Sequence, residues 1–138
     1  MISVGIDISA KEFVMATRKN RKTLHSKTYG NDAKGLQAAT KRLRGNKPVR
    51  ICLEATGVYH LDAAIALSAV PNVELMVVNP KVAKRFAEVL MQRTKTDKVD
   101  AEMLAIYCER MDFVAWRPPA KAILTLRACS RRLVALTR

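Results

Sequence analysis

Apolar residues occupy the even positions of the segment 2–8, and small or polar residues occupy the odd ones. This period of two predicts a β-strand with one buried face. The segments 12–17 and 23–29 are also rich in strand-forming residues, and the basic segment 18–22 between them has the composition of a turn. The first thirty residues therefore predict an antiparallel meander of three strands.

After residue 30 the pattern changes to an alternation of helices and short apolar strands. Asn31 or Asp32 is suited to cap a helix that runs to about Leu43. The further predicted elements are a strand at 49–53, a helix at 59–69, a strand at 73–78, a helix from Pro80, and a helix that starts within 93–102 and ends near Met111. In the helix from Pro80, the predicted inward stripe is Val82, Phe86 and Val89. This alternation predicts a mixed α/β sheet with parallel members.

The end of the chain predicts a separate unit. Residues 113–116 have the composition of a last short strand, and Pro118-Pro119 separates them from a final helix. Five apolar residues of that helix follow a 4-3-4-3 spacing: Ala122, Leu126, Cys129, Leu133 and Leu136. That spacing fits a coiled coil, and ordinary core packing explains so short a run equally well. We predict a domain at 1–117 and a connecting helix that begins at 118–138.

Composition indicates the kind of partner. The chain has 138 residues, 49% of them hydrophobic, which suits one globular domain. Its 25 basic and 12 acidic residues give a net charge of +13, which favours nucleic acid as partner and an anionic membrane surface less. No apolar stretch is long enough for a membrane span. Three isolated cysteines and the lack of a signal peptide predict a reducing cytoplasm.

Basic residues are concentrated in four segments, 18–27, 34–50, 81–98 and 117–138. The second and fourth hold six basic residues each and no acid. Such one-sided charge favours phosphate contacts over a merely solvated face. The residues that we predict to contact nucleic acid are Lys81, Lys84, Arg85, Arg93, Lys95, Lys98, Arg127 and Arg131.

Four acids stand where a sheet would bring them together. Asp7 and Glu54 each end a predicted strand, and Asp97 and Asp100 lie three residues apart where a helix is predicted to begin. Because carboxylates repel one another unless a cation neutralises them, we predict that all four surround Mg²⁺, with Mn²⁺ as a substitute. Each acid also has a simpler interpretation. Asp97 suits the N-cap of a helix that has Asp100 as the acid at N3, and the other two suit polar strand ends.

Five motifs resemble one known family. They are Val4-Gly5-Ile6-Asp7, Leu53-Glu54-Ala55-Thr56-Gly57, Val78-Asn79-Pro80, Lys95-Thr96-Asp97-Lys98-Val99-Asp100-Ala101 and Arg117-Pro118-Pro119. In order and spacing they resemble the N-terminal, RuvC-like DEDD domain of insertion-sequence transposases of the IS one-ten type and of related site-specific DNA invertases. The resemblance implies a ribonuclease-H-like α/β fold, with about five strands in a mixed sheet flanked by helices. A C-terminal helix would lead to a further domain.

The resemblance also implies an activity. The family's four acidic ligands fall on Asp7, Glu54, Asp97 and Asp100, and imply Mg²⁺-dependent DNA cleavage and rejoining, guided by a structured bridge RNA. The implied partners are DNA, that RNA and further copies of the chain, at the nucleoid in a bacterial or archaeal cytoplasm. Family members carry a nucleophilic serine in a second domain. The chain is therefore expected to be incomplete for strand exchange by itself.

Three other functions fit parts of the pattern. A ribonuclease-H-like module could bind nucleic acid without cutting it, and a Holliday-junction-type nuclease could cut it without transposition. A sugar- or acetate-kinase-like ATPase also has a first strand that reads Gly-Ile-Asp. Such an ATPase requires a second, Asp-x-Gly phosphate loop, for which the sequence has no candidate, and the net charge of +13 suits nucleic acid better than a metabolite.

Overall fold

The computed structural model describes residues 1–55, 59–90 and 100–117. The described elements are β1 (Ile2–Ile8), β2 (Glu12–Lys19), β3 (Lys22–Gly30), α1 (Ala33–Leu43), β4 (Val49–Glu54), α2 (Tyr59–Ser68), β5 (Val73–Val78), α3 (Pro80–Leu90) and α4 (Ala101–Arg110). No helix among them is both long and apolar enough to cross a membrane.

The five strands form one sheet in the order β3-β2-β1-β4-β5. The pairs β1–β2 and β2–β3 are antiparallel, whereas β1–β4 and β4–β5 are parallel. A meander followed by two parallel strands is the ribonuclease-H arrangement, so the predicted fold class is confirmed. β1, β4 and β5, which are neighbours in that order, all end at the same edge of the sheet, and β1 is the central strand of the five.

The larger core lies between one face of the sheet and helices α1 and α2. The even positions of β1 face this core, as the alternation predicted. Phe13 and Tyr29 stack across β2 and β3 with ring centroids 5.3 Å apart. Ala39 of α1 and Leu67 of α2 are fully buried against the sheet. This apolar core supports one face of the sheet, and α4 packs against the opposite face.

On the opposite face, α4 lies directly against β1 because Gly5 has no side chain. A Cβ at Gly5 would lie 2.0 Å from the carbonyl oxygen of Ala101 and 2.2 Å from the backbone nitrogen of Ala105. Ala16 of β2 continues this contact, packed in one cluster with both alanines. Gly5 and these three alanines therefore let the first turns of the helix approach the strands closely.

The other end of α4 is held by an ion pair. The Arg18 Nε donates to Glu109 at 2.8 Å, and the backbone N–H of Arg21 donates to the same carboxylate at 3.1 Å. Burial alone would raise the pKa of Glu109, but these hydrogen bonds and the charges of Arg18 and Arg110 outweigh it and lower the pKa. Contacts at both ends thus fix α4 on the sheet.

Two predicted features of the meander and of the chain end differ in the structure. β2 continues to Lys19, and the turn is reduced to Asn20 and Arg21, with φ of 51° and 66°. Of the polar residues that suggested a longer turn, Lys22 is exposed on β3, whereas Arg18 is buried in β2 and paired with Glu109. Residues 113–116 form no strand, although the Trp116 N–H donates to Leu75 O at 2.7 Å.

The predicted inward stripe of α3 is wrong. Val82 is 44% exposed and Val89 is 68% exposed, whereas Ala83 and Ala87 are buried. The helix buries the side with its small residues, and Phe86 meets the ring of Tyr107 edge-on at 5.0 Å. The connecting helix predicted at 118–138 lies outside the described residues.

Candidate active site at the ends of the parallel strands

Asp7 and Glu54 stand side by side at one edge of the sheet. Ile6 pairs with Leu53 in the parallel register of β1 and β4, so the next residues of the two strands are Asp7 and Glu54. Since side chains alternate along a strand, both carboxylates share the face of Gly5, which is the face that α4 covers. The fold thus brings together two acids that are 47 positions apart in the sequence.

The electrostatics agree with this placement. Burial and, after it, the negative charge of Asp7 raise the pKa of Glu54 above its usual value near 4.5. Both side chains are half-buried. Two carboxylates held this close with limited access to water disfavour their joint ionisation, and a bound cation would relieve that cost. Hard carboxylate oxygens are also the donors that Mg²⁺ and Mn²⁺ take.

Asp100 reaches the same end of the molecule through α4. Its backbone is extended, and its Oδ1 accepts a hydrogen bond from the Met103 N–H at 2.8 Å, so it is the N-cap of the helix. The adjacent Ala101 lies over Gly5, two residues before Asp7 in β1. The start of α4 therefore lies near the ends of β1 and β4, and the exposed Asp100 side chain belongs to this end.

The prediction that Asp97 and Asp100 lie on one helical face is wrong for Asp100. Because α4 begins at Ala101, Asp100 precedes the helix and does not lie on a helical face. The capping interpretation, with Asp97 as the N-cap and Asp100 at N3, is wrong for Asp100, which is itself the N-cap. Asp97 lies outside the described residues, and its place in the candidate site stays a prediction. Within 1–55, 59–90 and 100–117, no three His, Cys, Asp or Glu residues form a group that could hold a metal ion.

Basic residues of α3 lie beside the same edge. β5 ends at Val78, which pairs with Glu54, and Asn79 follows it as a cap whose Oδ1 accepts from the Lys81 N–H at 2.8 Å. Lys81, Lys84 and Arg85 are all exposed on the helix. The other predicted nucleic-acid contacts, Arg93, Lys95, Lys98, Arg127 and Arg131, lie outside the described residues.

The sequence interpretation missed the part of Gly5. It recognised the Gly-Ile-Asp run as a strand that ends in an acid, but not the glycine as the contact that lets α4 approach β1. The available signal was a glycine in a strand interior, which often marks the close approach of another backbone. That contact positions Asp100 relative to Asp7.

The chain is also similar to known proteins. Residues 4–138 match the model of a family of DEDD transposases of the IS110 type, described as a transposase. The pilin gene-inverting proteins of Moraxella bovis and Moraxella lacunata are each 32% identical over 130 residues. These matches cover 91% of this chain but 39% of each relative, so the chain spans about two fifths of their length.

A solved structure of a Fowlpox virus resolvase in complex with a substrate Holliday junction DNA also aligns with the chain. The alignment has a TM-score of 0.49 and 17% identity, and it covers 78% of this chain and 93% of the resolvase.

Proposed function

Because the chain belongs to the IS110-type family of DEDD transposases, we propose that residues 1–117 are the catalytic domain of a DNA recombinase. The proposed reaction is metal-dependent cleavage of a DNA strand, followed by rejoining. The observation that carries the proposal is the pairing of Asp7 with Glu54 on one face at the ends of two parallel strands. A like-charged pair of this kind is costly to keep without a cation.

The proposed ligands of the metal are Asp7, Glu54, Asp97 and Asp100. Bound Mg²⁺ or Mn²⁺ would stabilise charge on the oxygens around the reacting phosphorus. Asp7, on the central strand, has a neighbouring strand on each side and is the natural shared ligand. Asp100 can keep its Oδ1 on the helix cap and offer its second oxygen, since a carboxylate has two acceptor atoms.

The basic residues would hold the DNA strand. Lys81, Lys84 and Arg85 project from the helix that starts next to the carboxylates, which suits contact with phosphates on either side of the cleaved bond. Arg93, Lys95 and Lys98 adjoin Asp97 in the sequence and are proposed to extend that contact. Arg127 and Arg131 are proposed to contact DNA or a structured guide RNA.

Rejoining needs more than the carboxylates. A cut end is rejoined without added energy only if its bond energy is conserved, which a covalent ester to an enzyme side chain achieves. The five serines of the chain are Ser3, Ser9, Ser26, Ser68 and Ser130. None of them has a recognisable nucleophile motif, so we propose that a second domain, in an assembly of several copies, provides the nucleophile.

A cleavage assay tests this proposal. The chain is incubated with supercoiled plasmid in Mg²⁺, and nicked and recombinant circles are quantified. With water in place of that nucleophile, we expect hydrolytic nicking that EDTA abolishes and that Asp7→Asn reduces at least about 100-fold. Recombinant circles should be absent, because a hydrolysed end conserves no ester to an enzyme side chain. Asp62→Asn, at an exposed position of α2, is the matched control and should leave nicking unchanged. Equal nicking by Asp7→Asn, or none by the unaltered chain, would overturn the proposal.

A second candidate is a module that binds nucleic acid without cutting it. Two observations favour it: Asp100 is already used as a helix cap, and the described residues contain no three-ligand group. This candidate predicts nucleic-acid binding with no nicking in any divalent metal, so the same assay separates the two functions.

A further inference from the structure

The end of the sheet farthest from Asp7 and Glu54 is strongly basic. Here β1, β4 and β5 begin, β2 turns into β3, and α1 and α4 end. Eight basic residues belong to this region, which we call the basic end: Lys19, Arg21, Lys22, Lys41, Arg42, Arg44, Lys47 and Arg110. All are exposed except Lys19, which is half-buried. They lie on β2, β3, α1 and α4 and on the loops beside these elements. The fold therefore brings them together from separate parts of the sequence.

Two acids near the basic end have basic partners. Glu109 is paired with the buried Arg18 and also interacts with the charge of Arg110, and Glu74 lies 3.7 Å from Arg50. Asp112 is exposed and lines a groove beside β5 together with Met76 and Val114. The eight cations of the basic end outnumber these acids, and such an excess is the footprint of a polyanion site.

The turn between β2 and β3 has two locally unfavourable features, and both involve basic residues. Asn20 and Arg21 both have positive φ, as a two-residue hairpin turn requires, and glycine is strongly preferred at the second position. Arg21 adopts that left-handed conformation although it has a side chain. Lys19 and Lys22 pair directly across the strands, where like charges repel. Positions that break local rules without a structural benefit are often functional.

Specific contacts hold the basic end in shape. Asn72 donates to the carbonyl oxygens of Leu43 and Lys47, both at 2.8 Å, and its Oδ1 accepts from the Gly45 N–H at 3.2 Å. These bonds fix the loop that carries Arg44 and Lys47. The Nη2 of Arg42 lies 2.6 Å from the Nε2 of His25, which joins the last turn of α1 to β3.

Glu109 holds the turn between β2 and β3, which carries Arg21, in place. Its carboxylate accepts from the Arg21 N–H, and the guanidinium of Arg18 donates to the Arg21 carbonyl oxygen at 2.7 Å. The hairpin turn is therefore held in place while the Arg21 side chain stays exposed. A surface ordered before binding loses less entropy when a ligand arrives.

We infer that the basic end is a second nucleic-acid interface, which grips the phosphate backbone and performs no chemistry. From the level of Asp7 to the hairpin turn the strands extend by about six residues, or about 20 Å. That distance corresponds to about six base pairs of a duplex. The ligand chemistry is a run of phosphodiesters, and duplex DNA and duplex RNA both supply it. This inference goes beyond the proposed function, because it does not depend on the carboxylates.

The test exploits the strained turn. Arg21→Gly relieves the left-handed conformation, so the variant should have a higher Tm and nevertheless bind nucleic acid about tenfold more weakly at 0.1 M salt, which is the loss of one phosphate contact. The slope of log affinity against log salt should fall by about 1. Arg44→Gln with Lys47→Gln should lower the slope by about 2. Lys11→Gln, at an exposed position between β1 and β2 at the opposite end of the sheet, is the control and should change neither the affinity nor the slope.

Binding is measured in EDTA with one sequence prepared as duplex DNA and as duplex RNA, and the form whose slope falls is the ligand. EDTA removes any bound metal and prevents cleavage, so a failed catalytic site would not affect this binding result. If Arg21→Gly gains stability and its affinity and slope equal those of Lys11→Gln for both duplexes, the basic end is not an interface.

Discussion

At the scale of one residue, the ionised Glu54 carboxylate lowers the stability of the native state at the candidate site. Burial and the neighbouring Asp7 raise its pKa. A raised carboxyl pKa means that the native state favours the protonated form more than the unfolded state does. Ionised Glu54 therefore destabilises the native state at neutral pH, and this penalty disappears as the pH falls through the raised pKa towards the usual value near 4.5.

Glu54→Gln should accordingly stabilise the protein. In EDTA at pH 7 we expect the Tm to rise by a few degrees, because an uncharged amide costs less to bury than a carboxylate and is not repelled by Asp7. Below about pH 4 the gain should vanish, since the carboxyl is then protonated in both states. Calorimetry at both pH values checks this, with the exposed Glu88→Gln as control. A Tm at pH 7 that is unchanged or lower would show that the pair is not under repulsion.

The sequence predicted these residues well where a local pattern ended in an unusual side chain. Asp7 and Glu54 each terminate an apolar strand, and their proximity follows once the two strands are parallel neighbours. Arg18 was less predictable. In the sequence it belongs to a polar, basic turn, but its partner Glu109 is 91 positions away, so only tertiary structure reveals the buried ion pair.

Helix α4 is the element that links the two ends of the molecule. Its first turns contact β1 at Gly5, and its last turn holds Arg18 and the hairpin through Glu109. Its start was predicted too early because the pattern of acids suggested a cap at Asp97, whereas the observed cap is Asp100. The inward face of α3 was predicted from its large apolar residues. The prediction was wrong because the helix buries its alanines instead.

Gly5→Ala tests the first of these contacts. The new Cβ would overlap backbone atoms of α4, which have no alternative rotamer, so the helix must move away from β1. We expect a loss of about 3 kcal/mol in the free energy of unfolding, measured in urea, together with weaker metal binding as Asp100 shifts. Gly45→Ala is the matched control, because nothing lies within 4 Å of its new Cβ, and should change stability by less than about 1 kcal/mol. Equal effects would show that α4 does not depend on this approach.

Glu109→Gln tests the second contact. Removing the charge leaves Arg18, a buried residue, without its ionic partner, which should cost roughly 1–2 kcal/mol in urea unfolding at pH 7. Because the native pKa of Glu109 is lowered, its contribution is complete above the usual value near 4.5 and is lost as the pH falls through the lowered pKa. A destabilisation that persists at pH 2 would point to packing instead of charge.

Across the whole molecule, the candidate acidic site and the basic end lie at opposite ends of the sheet. Asp7, Glu54 and the start of α4 lie at the end where the parallel strands finish, and the basic end lies where they begin. The net charge of +13 predicted a polyanionic partner but not this division, because segments 18–27 and 34–50 converge only when the meander and α1 are folded. A long nucleic acid suits such a surface, since its phosphates repeat at short intervals.

The central claim is that Asp7 and Glu54, with Asp97 and Asp100, hold a divalent metal. Direct titration with Mn²⁺, followed by electron paramagnetic resonance of the free ion, tests it without requiring catalysis. The account predicts saturable binding by the chain, affinity reduced at least about tenfold in Asp7→Asn and in Glu54→Gln, and unchanged affinity in Asp62→Asn. Binding by the two site variants that equals that of Asp62→Asn, or no saturable binding by any of them, would contradict the account.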